Sequence, residues 1–149
     1  MEEDKLQKVL EAARLAPTAA NRQAFRIIVI RTQNRQNELL SIYNSPWFVQ
    51  APLVICICGI PNDAWVRRDG KNYSDVDATI AMDHLILEAT ELGLGTCWIA
   101  AFDPIAAKGV LGIPANVEPI AFTPLGYTSD QPPAKKRKNL DELIKYDRW

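Results

Sequence analysis

The chain is poor in the residues that would tie it to metal, disulfide or membrane chemistry. It has three cysteines and one histidine among 149 residues. The odd cysteine count, the lack of any Cys-x-x-Cys pair and the isolation of His84 argue against a disulfide framework and against a zinc or iron site. Cys56 and Cys58 stand two apart in an apolar run, where a strand would place both side chains on one face. With Cys97 they read as free thiols suited to a reducing cytoplasm. No apolar stretch reaches the roughly 20 residues of a membrane-spanning helix. The start, Met1-Glu2-Glu3-Asp4-Lys5, is too polar for a signal peptide. The expectation is a soluble, cytoplasmic protein with no membrane partner. Charge of one sign is also lacking: 17 Lys and Arg balance 18 Asp and Glu, a net charge of -1. That leaves no basic face for nucleic acid, and the one dense basic run is Lys135-Lys136-Arg137-Lys138. No G-x-G-x-x-G fingerprint, phosphate-binding P-loop or internal repeat is present.

What remains is an ordinary soluble composition. Hydrophobic residues make up 48% and charged residues 23% of the chain, enough apolar material for one domain spanning 1–149. Leu6, Val9, Leu10, Ala13 and Leu15 recur at helical spacing and predict a first helix running to about Ala16, before Pro17. Thr18 to Gln23 is a polar loop. Phe25 to Arg31, β-branched at its centre, predicts a buried strand, and Glu38 to Ile42 a short helix before the break at Asn44-Ser45-Pro46. Leu53 to Cys58 predicts a second strand. Asn62 to Ser74 reads as a long surface excursion anchored by Trp65 and Tyr73, the kind of segment that often covers a site. The longest helix is predicted from Asp75 to about Leu92, followed by a strand at Cys97-Trp98-Ile99. Asp103-Pro104 has the form of an N-cap with proline at the first helical position, opening a helix to Leu111. Val117 to Leu125 predicts a last strand, with Pro119 and Pro124 marking irregular edges. A Pro- and Lys-rich arm ends in a helical turn around Leu140 to Ile144. The uneven connections favour an α+β fold, with helices packed on a central sheet, over a doubly wound one.

Three segments carry a family resemblance. Ala16-Pro17-Thr18-Ala19-Ala20-Asn21-Arg22-Gln23-Ala24-Phe25 is similar to the Ala-Pro-Ser-x-x-Asn-x-Gln-Pro-Trp segment of the nitroreductase family. Leu92-Gly93-Leu94-Gly95-Thr96-Cys97-Trp98-Ile99-Ala100-Ala101-Phe102-Asp103 resembles its Gly-Leu-Gly-Thr-Cys-Trp-Ile-Gly-Ala-Phe-Asp. Pro124-Leu125-Gly126-Tyr127, with the prolines and basic residues after it, resembles the family's last strand and C-terminal arm. The three occur in family order and span almost the whole chain.

The resemblance implies a nitroreductase-like α+β fold with a central, mainly antiparallel sheet flanked by helices. It also implies a homodimer with FMN held between the subunits. Such enzymes take hydride from NADH or NADPH and pass electrons to nitroaromatics, quinones or related small-molecule acceptors. The flavin performs the chemistry, so the protein must supply donors to its edge and leave one face open; no catalytic acid or base is implied. By resemblance, Pro17, Thr18 and Ala19 reach the ring from one subunit, with the amides of Asn21 and Gln23 on its mixed donor and acceptor edge. The backbone N–H groups of Ala100 and Ala101 approach flavin N5 and O4, where small side chains permit close approach. Ala100 departs from the glycine common there. Lys135 and Arg137 match phosphate-binding cations, and Asn44 matches a ribityl or phosphate contact. Trp65, Arg67, Arg68 and Tyr73 would shape the substrate side, while Asp83 and His84 read as helix-packing residues.

The family's N-terminal Arg-Arg-Ser-x-Arg segment has no counterpart here, so the expectation is a short form that leans on its C-terminal cations. Two alternatives stay open on these residues. One is a flavin-binding or flavin-less relative without turnover, acting as a sensor or binding module. The other is a relative that removes halogens from aromatic rings or fragments reduced flavin.

Overall fold

The computed structural model describes residues 1–149. Helix α1 spans Glu3–Arg14, with Leu6, Val9 and Ala13 buried along one stripe. Glu3 and Asp4 in its first turn and Arg14 in its last suit the helix dipole. Strand β1 is Phe25–Arg31, α2 is Gln36–Ile42 and β2 is Leu53–Gly59. The long helix α3 covers Ser74–Glu91 and is followed by a two-residue strand, β3, at Gly95–Thr96. Helix α4 is Pro104–Leu111, β4 is Glu118–Gly126 and α5 is a single turn at Leu140–Leu143.

The strands form one sheet in the order β1-β2-β4-β3, with every pairing antiparallel. Central strand β2 is buried along its whole length, and its alternation divides the core in two. Leu53, Ile55 and Ile57 meet α1 and α3 on one face, through Val9, Ala13, Ala81, Met82 and Leu85. Val54, Cys56 and Cys58 point the other way, into a layer with Leu39, Ile42, Phe48, Ala107 and Phe122 under α2 and α4. This is the α+β sandwich that the pattern predicts, and no helix in it is long and apolar enough to cross a membrane.

The strand expected at Cys97–Ile99 is instead broken. Gly95 pairs with Gly126, Thr96 with Leu125 and, after a gap, Ile99 with Phe122 in the same register. Cys97 would fall opposite Pro124, which has no N–H to donate. The Cys97 N–H turns to Thr123 Oγ1 at 3.0 Å, and the ladder resumes only where Ile99 and Phe122 exchange two bonds of 2.9 Å. Pro119 has a similar effect on the other side of β4. The register between β2 and β4 shifts between Ile57 and Cys58, leaving Ile120 as the extra residue of a bulge. The two prolines therefore shape the interior of the sheet, since β4 lies between β2 and β3.

Candidate functional site

The loop after α1 is the most constrained stretch of backbone in the chain. Ala20, Asn21 and Gln23 all have positive φ, at 51°, 53° and 53°, and none is glycine. Such residues cost on the order of 1–3 kcal/mol each and persist only where their surroundings hold them. Three ties hold them here. Ala19 N–H donates to Asp77 Oδ1 at 2.9 Å. Gln23 N–H donates to Thr18 Oγ1 at 3.1 Å. Ile60 N–H donates to the carbonyl of Ala24 at 2.9 Å. The result is a short, stiff loop that leaves Pro17, Asn21 and Gln23 exposed and Thr18 and Ala19 half-buried. It hangs from α3 and so belongs to the α1/α3 face.

The second fragment sits on the other face. Ile99 is pinned to Phe122, and Asp103 N–H donates to the carbonyl of Ile42 at 2.8 Å. Ala100 and Ala101 lie between these anchors, both exposed, and neither N–H finds an acceptor within the chain. The anchor at Asp103 also caps α4, its carboxylate accepting from Ile105 and Ala106 N–H at 2.8 and 3.0 Å. Asn44 follows Ile42 by two residues and is exposed beside this segment. The Asp103–Ile42 bond therefore ties the segment holding Ala100 and Ala101 to the one holding Asn44, on the α2/α4 face. The Pro17–Gln23 loop is tied instead to α3, whose buried residues pack on the other face of the sheet.

Lys135 and Arg137 lie on the C-terminal arm. Every residue from Tyr127 to Trp149 is exposed, and neither cation enters an ion pair. The arm is tied to the body at its root, where Tyr127 OH donates to the Glu2 carboxylate at 2.8 Å and Lys5 lies over the Tyr127 ring. Its side chains include exposed Leu140, Leu143, Tyr146 and Trp149. A groove of about 370 Å³, lined by residues such as Glu2, Leu6, Arg31, Gln50 and Pro52, touches none of the expected flavin residues.

The excursion before α3 is a folded hairpin. Val66 bridges Asn72, and Trp65 packs edge-on against Tyr73 with centroids 5.1 Å apart. Arg67 is occupied within it, bonded to Asp69 at 2.6 Å and to Tyr73 OH at 3.1 Å. Of the residues expected to shape a substrate face, Arg68 is exposed and outside the ion pairs. Asp83 is exposed on α3 and His84 half-buried.

Among the thiols, Cys56 and Cys58 face each other at 3.7 Å in the core, and Cys97 is exposed. The Cys58 sulfur beside it, together with burial, pushes the Cys56 thiol far above its ordinary range. Both side chains are buried in the α2/α4 layer, where they pack as small apolar groups.

Asp77 is the site residue that sequence reasoning missed. It is 1% exposed and holds the Ala19 end of the strained loop. An acid in a helix's first turn reads as a solvated dipole partner. The overlooked signal was its spacing: Asp77, Ala81, Leu85 and Ala89 form one buried stripe.

An antiparallel sheet with a pair of helices packed on each face defines an α+β sandwich protein. The nitroreductase family profile matches residues 1–44 and 34–127, and the chain belongs to that family. It is similar to a nitroreductase family protein of Clostridium difficile 630, whose crystal structure superposes with a TM-score of 0.90. That alignment covers 100% of this chain and 88% of the other at 39% identity. An FMN-dependent nitroreductase of Clostridium difficile R20291 is similar at a TM-score of 0.79 and 25% identity, over 100% of this chain and 90% of that one. An FMN reductase (NAD(P)H) of Bacillus subtilis is 26% identical, over 97% of this chain and 64% of that protein.

Proposed function

We propose that two copies of this chain form an FMN-dependent oxidoreductase that takes hydride from NADH or NADPH and passes electrons to a nitroaromatic, quinone or similar acceptor. The unclaimed N–H groups of Ala100 and Ala101, held between two fixed anchors, carry this reading. Two adjacent exposed donors beside methyl-sized side chains fit the acceptor edge of a flat heterocycle, which needs backbone within about 3 Å. FMN, when bound, supplies the hydride-accepting ring. On this reading Ala100 and Ala101 donate to its N5 and O4 edge. Pro17, Thr18, Ala19, Asn21 and Gln23 of the other copy line the ring, with the two amides at its pyrimidine side. Asn44 serves the ribityl chain or phosphate, and Lys135 and Arg137 neutralise the phosphate.

Where the two sets are anchored supports the second copy. One set is anchored on the α1/α3 face and the other on the α2/α4 face, an arrangement that suits a flavin lying between two copies. The exposed arm supports the same view. Leu140, Leu143, Tyr146 and Trp149 in water form apolar surface of the kind that marks an interaction site.

The test is a purified protein. We expect a yellow dimer whose flavin absorbance is bleached by NADH or NADPH. Changing Lys135→Ala and Arg137→Ala together is expected to weaken FMN binding by about tenfold for each 1.4 kcal/mol lost, with the fold intact. A colourless protein that takes up no added FMN would overturn the proposal. Bound flavin that neither nucleotide bleaches would leave a binding protein without turnover.

A further inference from the structure

Asp77 has the surroundings of a residue kept for something other than stability. Its carboxylate is almost wholly buried, and no cation pairs with it. One oxygen accepts the Ala19 N–H at 2.9 Å, while Oδ2 has no partner. Ser74, three residues earlier on α3, is 2% exposed, and its Oγ also lacks a partner. Gly59, at the end of β2, makes room for this group, since a β-carbon there would overlap Ser74 Oγ. Buried acceptors left unmatched are costly, and an apolar residue at either position would remove the cost. The compensation lies in the loop. Asp77 is the only side chain outside the loop that holds its backbone, and it grips the residue directly before Ala20, Asn21 and Gln23, the three with positive φ.

We propose that Asp77 is a positioning residue for flavin binding, fixing the Ala19–Gln23 loop in its strained form before the cofactor arrives. The proposal rests on the flavin reading above and deepens it. A loop already held in the binding form loses less freedom when the ligand docks. Asp77 acts through the Ala19 amide alone and does not itself contact the ring. An asparagine would keep an acceptor for that amide without the charge. Alanine would remove the grip.

The experiment compares wild type, Asp77→Asn and Asp77→Ala. In the flavin-free chain, hydrogen exchange should find the Ala19 amide protected in wild type and D77N and at least tenfold faster in D77A. FMN titration followed by flavin fluorescence should give a Kd within threefold of wild type for D77N and at least tenfold weaker for D77A. Thermal unfolding of flavin-free D77A should stay close to wild type, because the lost bond is offset by removal of an unmatched carboxylate. Ala19 exchange that is unchanged in D77A overturns the proposal. So does fast exchange combined with unaltered FMN affinity, which would uncouple the loop from the flavin. A wild-type chain that takes up no FMN overturns the flavin reading and the purpose given to the grip. The exchange measurement would then still show whether the grip exists.

Discussion

The two faces of the sheet are buried alike but built differently. The α1/α3 face uses alanines, Ala13, Ala78, Ala81 and Ala89 among them, so that two helices lie close together over the sheet. The α2/α4 face is filled by aromatic rings. Phe122 stacks edge-on against both Phe102 and Phe48, with centroids 4.8 and 6.2 Å apart, and Tyr43 extends the group. Each face carries one set of the candidate residues and holds it by different physics. On the first, a buried carboxylate grips a strained loop. On the second, two backbone anchors leave the donors between them free. The lesson is that each set of candidate residues is shaped by the layer beneath it.

The largest break in this comparison should come from the aromatic layer. Phe122→Ala should cost about 3–5 kcal/mol, and Leu85→Ala on the other face about 2–5 kcal/mol; denaturant unfolding measures both. Because Ile99 pairs with Phe122, the first variant should also loosen Ala100 and Ala101, seen as faster amide exchange there. The second should spare them. Equal loosening in both variants would show that the two layers are not independent.

A smaller effect is expected at the α4 cap. Asp103→Ala removes an acceptor for two N–H groups and should cost about 0.5–2 kcal/mol. It sharpens the contrast if FMN binding weakens while Ala19 exchange stays unchanged. Thiol titration separates surface from core without touching stability. One of the three thiols, Cys97, should react with an aromatic disulfide reagent in the native protein, and all three after unfolding. Prompt native reaction of a second thiol would mean that the α2/α4 layer opens readily.

The smallest expected effect is at the root of the arm. Tyr127 OH, donating to Glu2, holds that exposed carboxyl below its ordinary value. A depressed folded-state value means that the tie contributes at pH above the ordinary carboxylate pKa and is lost as pH falls through the lower one. In Tyr127→Phe the Glu2 pKa should rise toward its ordinary value, as read by NMR titration. No change would mean that the tie is not formed in solution.

Much of the fold was legible in the chain. Helical spacing in α1 and α3, β-branched runs in β1 and β2, and Asp103-Pro104 at the head of α4 each follow from local chemistry. The strand at Cys97–Ile99 was only half legible, because its fate depends on Pro124, some twenty-five positions later, which faces it across the sheet. The candidate flavin residues were legible only through resemblance. The strain at Ala20, Asn21 and Gln23 left no local mark, since positive φ is usually announced by glycine. Asp77 was hidden because burial of one helix face is decided by what packs on it.

By itself the sequence determined where helices and strands form and which residues alternate toward the two cores, since these depend on neighbours within a few positions. Only the tertiary structure decided that Asp77 meets Ala19, that Pro124 interrupts β3, and that the Ala19 loop and the Ile99–Asp103 segment are anchored to different layers of the core. Those facts depend on groups distant in the chain being brought within bonding distance, and no local preference encodes such a distance.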